Sequence, residues 1–276
     1  MTSAAAAAAH AQGSAGAAAS STKPLISLTQ PLTRRSCNVI RNALQSVCSQ
    51  SADAPDPEEA HAAVLIPFCN VNGQPGILLE VRGKLRTHSG EVSFPGGKVD
   101  KTDPSTLAAA LRETNEELGI RHDQVEILGR FGPPEKSLSG LRVWPYVAFL
   151  HPDGKQASEQ LDDDAPLPSL PLSSLTPSPR EVAHAFHLPL SAALSPPRLQ
   201  SYLFRGARPY YAISVADIVR GPNAVHSDGA EVRWINDPEQ RDEIGGGREG
   251  RLEVWGLTGW YLCSLMRILG VYDHPQ

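Results

Sequence analysis

The sequence predicts an α+β domain, and three observations indicate it. Aliphatic runs flank an Asn-Gly turn at residues 72–73, which is typical of a β-hairpin. Alanine-rich residues 104–118 end at Gly119, which is typical of a helix. The chain has 276 residues, 41% of them hydrophobic and 20% charged, so it can bury a core around such elements.

The N-terminal residues differ in composition from the rest. Residues 1–30 are rich in Ala and Ser and are predicted to be disordered, because such side chains bury too little apolar surface. The first 52 residues contain no Asp or Glu, so an organelle leader, mitochondrial or peroxisomal, is one interpretation. The other is a disordered tail on a cytoplasmic protein. Either way, four cysteines without ligand-like spacing indicate an intracellular protein.

Residues 31–276 are predicted to form a single domain whose elements follow in order. They are a helix at 32–50, the hairpin at 61–83, a helix at 103–118, strands at 124–132 and 142–152, an ordered segment at 181–194, a strand pair at 201–215 and a final strand and helix at 253–271. The final helix is expected to turn Leu262, Leu265, Met266 and Leu269 inward. A Pro/Ser-rich surface loop is expected near 157–180, and a second loop at 241–251.

The helix before Gly119 carries the chemistry. Asp103 and Pro104 are expected to start it, as N-cap and first helical residue. Glu113, Glu116 and Glu117 then share one face, where like charges repel each other. A hard cation, Mg²⁺ or Mn²⁺, would offset that repulsion. If these three glutamates are considered without their neighbours, the alternative to a metal site is an acidic helix face exposed to solvent.

Two neighbouring features favour the metal site. Arg112 lies four residues before Glu116 and can hold a carboxylate in place. Gly96 and Gly97 precede the helix and allow the backbone to approach a ligand closely.

Taken together, residues 91–120 resemble the Nudix box, which combines a glycine, Arg-Glu and Glu-Glu at fixed spacings. The resemblance implies a Nudix-type α/β/α sandwich with a central mixed sheet, and metal ligation by Glu113, Glu116 and Glu117. The match departs from the pattern at Asp103, where Glu is usual, and eight residues rather than seven separate it from Arg112. Thr114 also stands where an aliphatic residue is usual.

The segment just upstream resembles the signature of the coenzyme A diphosphatases. Arg82, Arg86, Gly90 and residues 94–97 are in register with it, whereas Glu80 replaces a Thr and Gly83 a Ser. The resemblance implies hydrolysis of coenzyme A and acyl-CoA to 3′,5′-ADP and (acyl-)4′-phosphopantetheine.

Coenzyme A carries a 3′-phosphate beside its diphosphate, so its binding requires positive charge in addition to that of the metal. We expect phosphate contacts from Arg82 and Arg86, and less so from Lys84 and His88. In a strand, Arg82, Lys84 and Arg86 would lie on the same face, because successive side chains alternate between the two faces. The alternative is an edge strand protected by charge.

The general base is expected to be Glu116 or Glu117, with Glu181 as the other candidate. Changing Glu116 or Glu117 to Gln should cut turnover by orders of magnitude. The partners implied are a small-molecule substrate and, at most, a second copy of the chain, as monomer or homodimer. The net charge of −5 argues against nucleic acid, and no apolar run of about eighteen residues predicts a membrane helix.

Two other interpretations stay open. A Nudix hydrolase of another specificity, for NADH, ADP-ribose or an oxidised nucleotide, would have the same metal site. A non-catalytic Nudix-fold binding module belongs to a different class, but such modules usually lose box glutamates, and all three are present here.

Overall fold

The structure is a computed structural model that describes residues 23–48, 55–56, 58–83, 90–155, 162–227 and 252–273. Its α-helices are α1 (Arg34–Cys48), α2 (Thr106–Leu118), α3 (Ala216–Val219) and α4 (Gly256–Ile268). Its strands are β1 (His61–Val71), β2 (Gln74–Arg82), β3 (Val92–Ser93), β4 (Gly96–Lys98), β5 (Val125–Arg130), β6 (Glu135–Lys136), β7 (Arg142–Leu150), β8 (Val182–Pro189), β9 (Leu199–Phe204), β10 (Arg208–Ser214), β11 (Ala224–His226) and β12 (Glu253–Val254).

A mixed sheet forms the centre of the fold. Its strand order is β11-β8-β2-β1-β7-β5, with β3, β4 and β6 paired to β2, β1 and β7. Strands β1 and β7 are parallel, and the other pairs are antiparallel. The predicted hairpin is confirmed as β1–β2, in which Asn72 (φ 51°) and Gly73 (φ 75°) take the left-handed conformations that such a turn requires.

Strand β1 divides the core between the two faces of this sheet. Ile66 and Phe68 point toward the cluster that contains α1 and α4, whereas Leu65 and Cys69 point toward the end of α2. This period-two alternation follows from strand geometry. Helices therefore cover both faces, and the predicted α/β/α sandwich with a mixed sheet is confirmed.

A second sheet, in the order β12-β10-β9, packs with α4 at the C-terminal end of the described chain. The predicted strand pair is confirmed as β9–β10, joined through Arg205 and Gly206. The predicted inward face of the final helix is also confirmed, because its four named residues are all buried: Leu262, Leu265, Met266 and Leu269. None of the helices within the described residues combines the length and apolarity needed to cross a bilayer.

Two predicted irregular segments are more ordered than expected. Residues 23–30 were assigned to the disordered segment, yet Ile26 and Leu28 are buried in the core and the Leu25 N–H donates to the Leu269 carbonyl at 2.9 Å. In the predicted surface loop, Leu167, Leu170 and Leu175 are buried. In both cases a few aliphatic side chains dock a segment whose composition is otherwise loop-like. Residues 1–22, 157–161 and 241–251 lie outside the described residues.

Candidate metal centre

A glycine pair places the backbone of β4 against α2. Strand β4 pairs with β1, with Gly96 opposite Val64 and Gly97 opposite Ala63. Gly96 has a φ of 146°, and a Cβ there would lie 2.3 Å from the Ala63 carbonyl oxygen. A Cβ on Gly97 would lie 2.5 Å from Cδ of Glu113. Only glycines therefore leave room for this strand and for the Glu113 carboxylate beside it.

Helix α2 begins at Thr106, and the predicted N-cap at Asp103 is wrong. Ser105 is the N-cap, and its hydroxyl accepts from the Ala108 N–H at 3.1 Å. Pro104 consequently lies outside the helix rather than at its first position. The additional residue before Arg112 allows this later start and leaves the Asp103 carboxylate for another contact. The helix ends as predicted at Gly119, which has a φ of 73°.

Three carboxylates converge at the end of α2. Glu113, Glu117 and Glu181 each offer an oxygen that lies within 4.8 Å of the others, and we call them the carboxylate triad. Glu117 is buried, Glu113 is half-buried and Glu181 is exposed. The Gly96 N–H donates to Oε2 of Glu117 at 2.7 Å. The triad thus runs from a fixed, buried carboxylate out to one that reaches solvent.

Glu181 reaches the triad because its loop caps the end of α2. The Thr176 N–H donates to the Leu118 carbonyl at 3.0 Å, and the Ser178 N–H to the Glu117 carbonyl at 2.8 Å. These are among the last carbonyls of the helix, which lack partners within it. The Gly83 N–H, just beyond β2, donates to the Glu181 carbonyl at 2.7 Å.

The charges in the triad are only partly compensated. Burial raises the pKa of Glu117 well above its ordinary value, and the negative charges of Glu80 and Glu113 raise it further. The Gly96 N–H and Arg82 act in the opposite direction. Burial also raises the pKa of Glu113, against the influence of Arg112. Crowded carboxylates with this donor set fit a hard divalent cation such as Mg²⁺ or Mn²⁺.

Arg112 holds the acidic side chains around the triad. It binds both oxygens of Asp103, at 3.0 and 2.9 Å. Its Nη1 donates to Oε1 of Glu113 and to Oε2 of Glu116, both at 3.0 Å. Glu116, a predicted metal ligand, is therefore bound by Arg112 and lies outside the triad, with a side chain that is 53% exposed.

Strand β2 brings two further charged residues to the centre. Arg82 lies at its end, with Nη1 3.9 Å from Oε1 of Glu80, and its positive charge opposes the pKa increase of both Glu80 and Glu117. Glu80 is fully buried, and burial raises its pKa to about 8. Sequence reasoning assigned Glu80 no role, although an ionisable residue inside an aliphatic strand was the available signal. Lys84, Arg86 and His88 lie outside the described residues.

Comparison with known proteins gives a family match. Residues 59–194 match the family model described as "NUDIX domain". The chain is 43% identical over 143 residues to "Uncharacterized Nudix hydrolase NudL" of Enterobacter sp. (strain 638), covering 51% of this chain and 62% of that protein. It is 43% identical over 134 residues to the protein of the same name from Escherichia coli O7:K1, covering 48% and 59%. The chain thus spans about three fifths of the length of these curated relatives.

Solved structures are less similar. A Caenorhabditis elegans Ap4A hydrolase binary complex is 22% identical with a TM-score of 0.35, covering 48% of this chain and 83% of that one. The Nudix domain of Shewanella oneidensis NrtR in complex with ADP ribose is 18% identical with a TM-score of 0.32, covering 54% and 85%.

Proposed function

We propose that this chain, which carries a Nudix domain at residues 59–194, hydrolyses the diphosphate bond of coenzyme A and acyl-CoA. The products are 3′,5′-ADP and the matching 4′-phosphopantetheine. The observation that carries the proposal is the carboxylate triad, packed against the glycine pair of β4. The choice of coenzyme A is supported by the sequence signature around Arg82 and by the positive charge of that arginine, which acts on Glu117 of the triad.

The carboxylate triad would hold Mg²⁺ or Mn²⁺. When bound, the metal supplies neutralisation of the diphosphate charge and a lower pKa for a bound water. Glu117 is fixed for this task by the Gly96 N–H, and Glu113 by Arg112. Arg112 itself is a positioning residue, because its contacts are carboxylates and the Lys98 carbonyl.

Glu181 is the group best placed to accept a proton from the attacking water. Glu116 and Glu117 were the other candidates from the sequence. Glu117 is buried and bound to Gly96, and Glu116 is bound to the same Nη1 of Arg112 as Glu113 but is not one of the three triad carboxylates. Glu181 alone among the three belongs to the triad and is exposed to solvent. A general base needs both contact with the water and an open path for its proton.

Arg82 supplies the positive charge that a third phosphate requires. Its side chain is 28% exposed and lies next to the buried carboxyl group of Glu80. A guanidinium there can donate two parallel hydrogen bonds to one phosphate. We assign the 3′-phosphate of coenzyme A to Arg82, with Arg86 and Lys84 of the following segment as further candidates.

A substrate panel tests this function. The panel comprises CoA, acetyl-CoA, dephospho-CoA, NADH, ADP-ribose and 8-oxo-dGTP, each with Mg²⁺ and Mn²⁺. We expect kcat/KM for CoA to exceed that for dephospho-CoA at least about tenfold, the effect of one charge-assisted hydrogen bond. Equal rates on these two substrates would refute recognition of the 3′-phosphate. Faster cleavage of NADH or ADP-ribose than of CoA would assign the chain to another Nudix substrate.

Variants sharpen the same test. Arg82→Ala should lower kcat/KM for CoA about tenfold or more and leave dephospho-CoA within about threefold. Arg121→Ala is the matched control, because Arg121 is a surface arginine paired with Asp123. It should leave both substrates unchanged.

A further inference from the structure

Glu80 is a buried carboxylate beside the metal centre that the carboxylate triad does not use. It lies on β2 opposite Ser93 of β3 and is fully excluded from solvent. Arg82 is two residues further along the same strand, at an irregularity in its pairing with β8, and its guanidinium lies close to the Glu80 carboxyl group. A charged group in such a position is costly to bury and calls for a partner.

The partners of Glu80 are incomplete. The Ser93 hydroxyl donates to Oε1 at 2.9 Å, and Nη1 of Arg82 lies 3.9 Å from that same oxygen. Within the part of the chain that the structure describes, Oε2 of Glu80 has no hydrogen-bond partner, and neither has the buried Nε of Arg82. Ser93 therefore fixes the carboxyl group, which faces the guanidinium of an arginine whose side chain is 28% exposed.

A carboxylate and a guanidinium in this arrangement restrict each other. A free arginine side chain has many rotamers. An arginine whose guanidinium already contacts a carboxyl group loses little further conformational freedom when it binds a ligand. An isosteric amide at position 80 would keep the hydrogen bond from Ser93 and would be cheaper to bury, because it carries no charge. A carboxyl group at position 80 is therefore better explained by its effect on Arg82 than by stability, because beside a guanidinium it can lose its proton and pair with that positive charge, which an amide cannot do.

We propose that Glu80 is a positioning residue for substrate specificity, which acts by holding the Arg82 guanidinium toward the terminal phosphate of the substrate. This inference rests on the proposed function, because it assigns Arg82 to the 3′-phosphate. It goes beyond that function because it makes a buried carboxyl group, which does not itself bind a phosphate, a determinant of the preference for CoA over dephospho-CoA.

Glu80→Gln tests the proposal by kinetics. At about pH 9, above the Glu80 pKa of about 8, we expect KM for CoA to rise about tenfold, kcat to stay within about threefold, and the preference for CoA over dephospho-CoA to fall by the same tenfold factor. The melting temperature should not decrease. Glu135→Gln is the matched control, because Glu135 also binds an arginine at 2.5 Å. That arginine, Arg208, lies in the second sheet. This control should leave the preference unchanged.

A readout that needs no substrate separates the two proposals. The Nε–Hε resonance of Arg82, assigned by its loss in Arg82→Lys, should exchange with water about tenfold faster in Glu80→Gln than in the unmodified chain. If the unmodified chain shows no preference for CoA, the proposed function fails, and this exchange rate alone decides whether Glu80 positions Arg82. Unchanged exchange, or a loss confined to kcat, would overturn the positioning role.

Discussion

At the scale of single residues, the centre is neutralised unevenly. Arg112 contacts Asp103, Glu113 and Glu116, so one guanidinium offsets much of the repulsion on the exposed side of α2. Glu117 receives a backbone N–H from Gly96 and the weaker influence of the Arg82 charge. The least compensated carboxyl group of the triad is thus the buried one, where a cation gains most because water screens its attraction least.

Glu117→Gln tests this placement. We expect kcat to fall at least about 100-fold, because even indirect contacts to a metal cost 10- to 100-fold when removed. The fold should survive, since the change removes a poorly compensated charge. Mn²⁺ should raise the melting temperature of the unmodified chain, by mass action, and should no longer do so in the variant. Glu59→Gln, at a surface pair with Arg142, is the control. A near-normal rate with the Mn²⁺ shift intact would contradict the metal assignment.

The buried carboxylates also predict how stability depends on pH. In the folded, metal-free protein the pKa of Glu80 is about 8, whereas an unfolded Glu ionises near pH 4.3. Between these values the folded state binds more protons, so the free energy of unfolding decreases as pH rises. The slope from this one group is at most about 1.4 kcal/mol per pH unit. Urea unfolding in EDTA at pH 5, 6, 7 and 8 measures it.

Glu80→Gln is the companion variant for this titration and should flatten the profile. At acid pH the sign reverses, because His151 and Arg41 lower the pKa of Glu126 to about 2 and its contribution is lost as pH falls toward that value. If the free energy of unfolding of the metal-free chain rises from pH 5 to 8, both in the unmodified chain and in Glu80→Gln, burial does not raise this pKa.

At the scale of elements, the start of α2 uses two different residues for its N-cap and for the anchor of Arg112, whereas the sequence predicted only an N-cap, at Asp103. Ser105 caps the helix, and Asp103 anchors Arg112 with both carboxylate oxygens. The N–H of Asp100 donates to the same carboxylate at 2.8 Å, which ties the loop before the helix to its charged face. The stability of the fold and the position of Arg112 should therefore respond to different substitutions, the first at Ser105 and the second at Asp103.

Ser105→Ala and Asp103→Ala provide that contrast. Ser105→Ala should lower the free energy of unfolding by about 1 kcal/mol, the usual cost of losing an N-cap, and leave kcat unchanged. Asp103→Ala should release Arg112 and lower kcat about 10- to 100-fold, since small displacements of a catalytic group cost that much. Urea unfolding and steady-state kinetics measure the two effects. Equal losses of stability and activity in both variants would contradict the division of roles.

At the scale of the whole molecule, local elements were predictable from the sequence and long-range contacts were not. The β1–β2 hairpin and the end of α2 at Gly119 follow from turn residues and local spacing. Glu181 meets Glu113 because a loop from elsewhere in the chain caps α2, and the sequence offered it only as a second candidate base. Glu80 was missed because its effect depends on burial, which a neighbour on another strand creates.

The two ends of the described chain show the same limit, because they meet in the core. Ile26 and Leu28 are buried in the cluster that contains α4, and Leu25 hydrogen-bonds to Leu269 at the end of that helix. Composition alone placed the domain boundary at residue 30. The apolar contacts place residues 23–30 inside the folded unit, so these residues contribute to its stability.

Two truncated chains test that boundary, one beginning at Lys23 and one at Pro31. Fully burying an Ile or Leu side chain stabilises by about 1.5–3 kcal/mol, so the shorter chain should lose about 3 kcal/mol or more. For a domain of this size that lowers the melting temperature by about 6–12 °C. Leu25→Ser in the longer chain is the control, because Leu25 is 52% exposed and its loss should change stability little. Calorimetry at one pH and metal concentration compares the three. Equal melting temperatures for both truncated chains would mean that residues 23–30 contribute nothing to folding, and the boundary read from composition would stand.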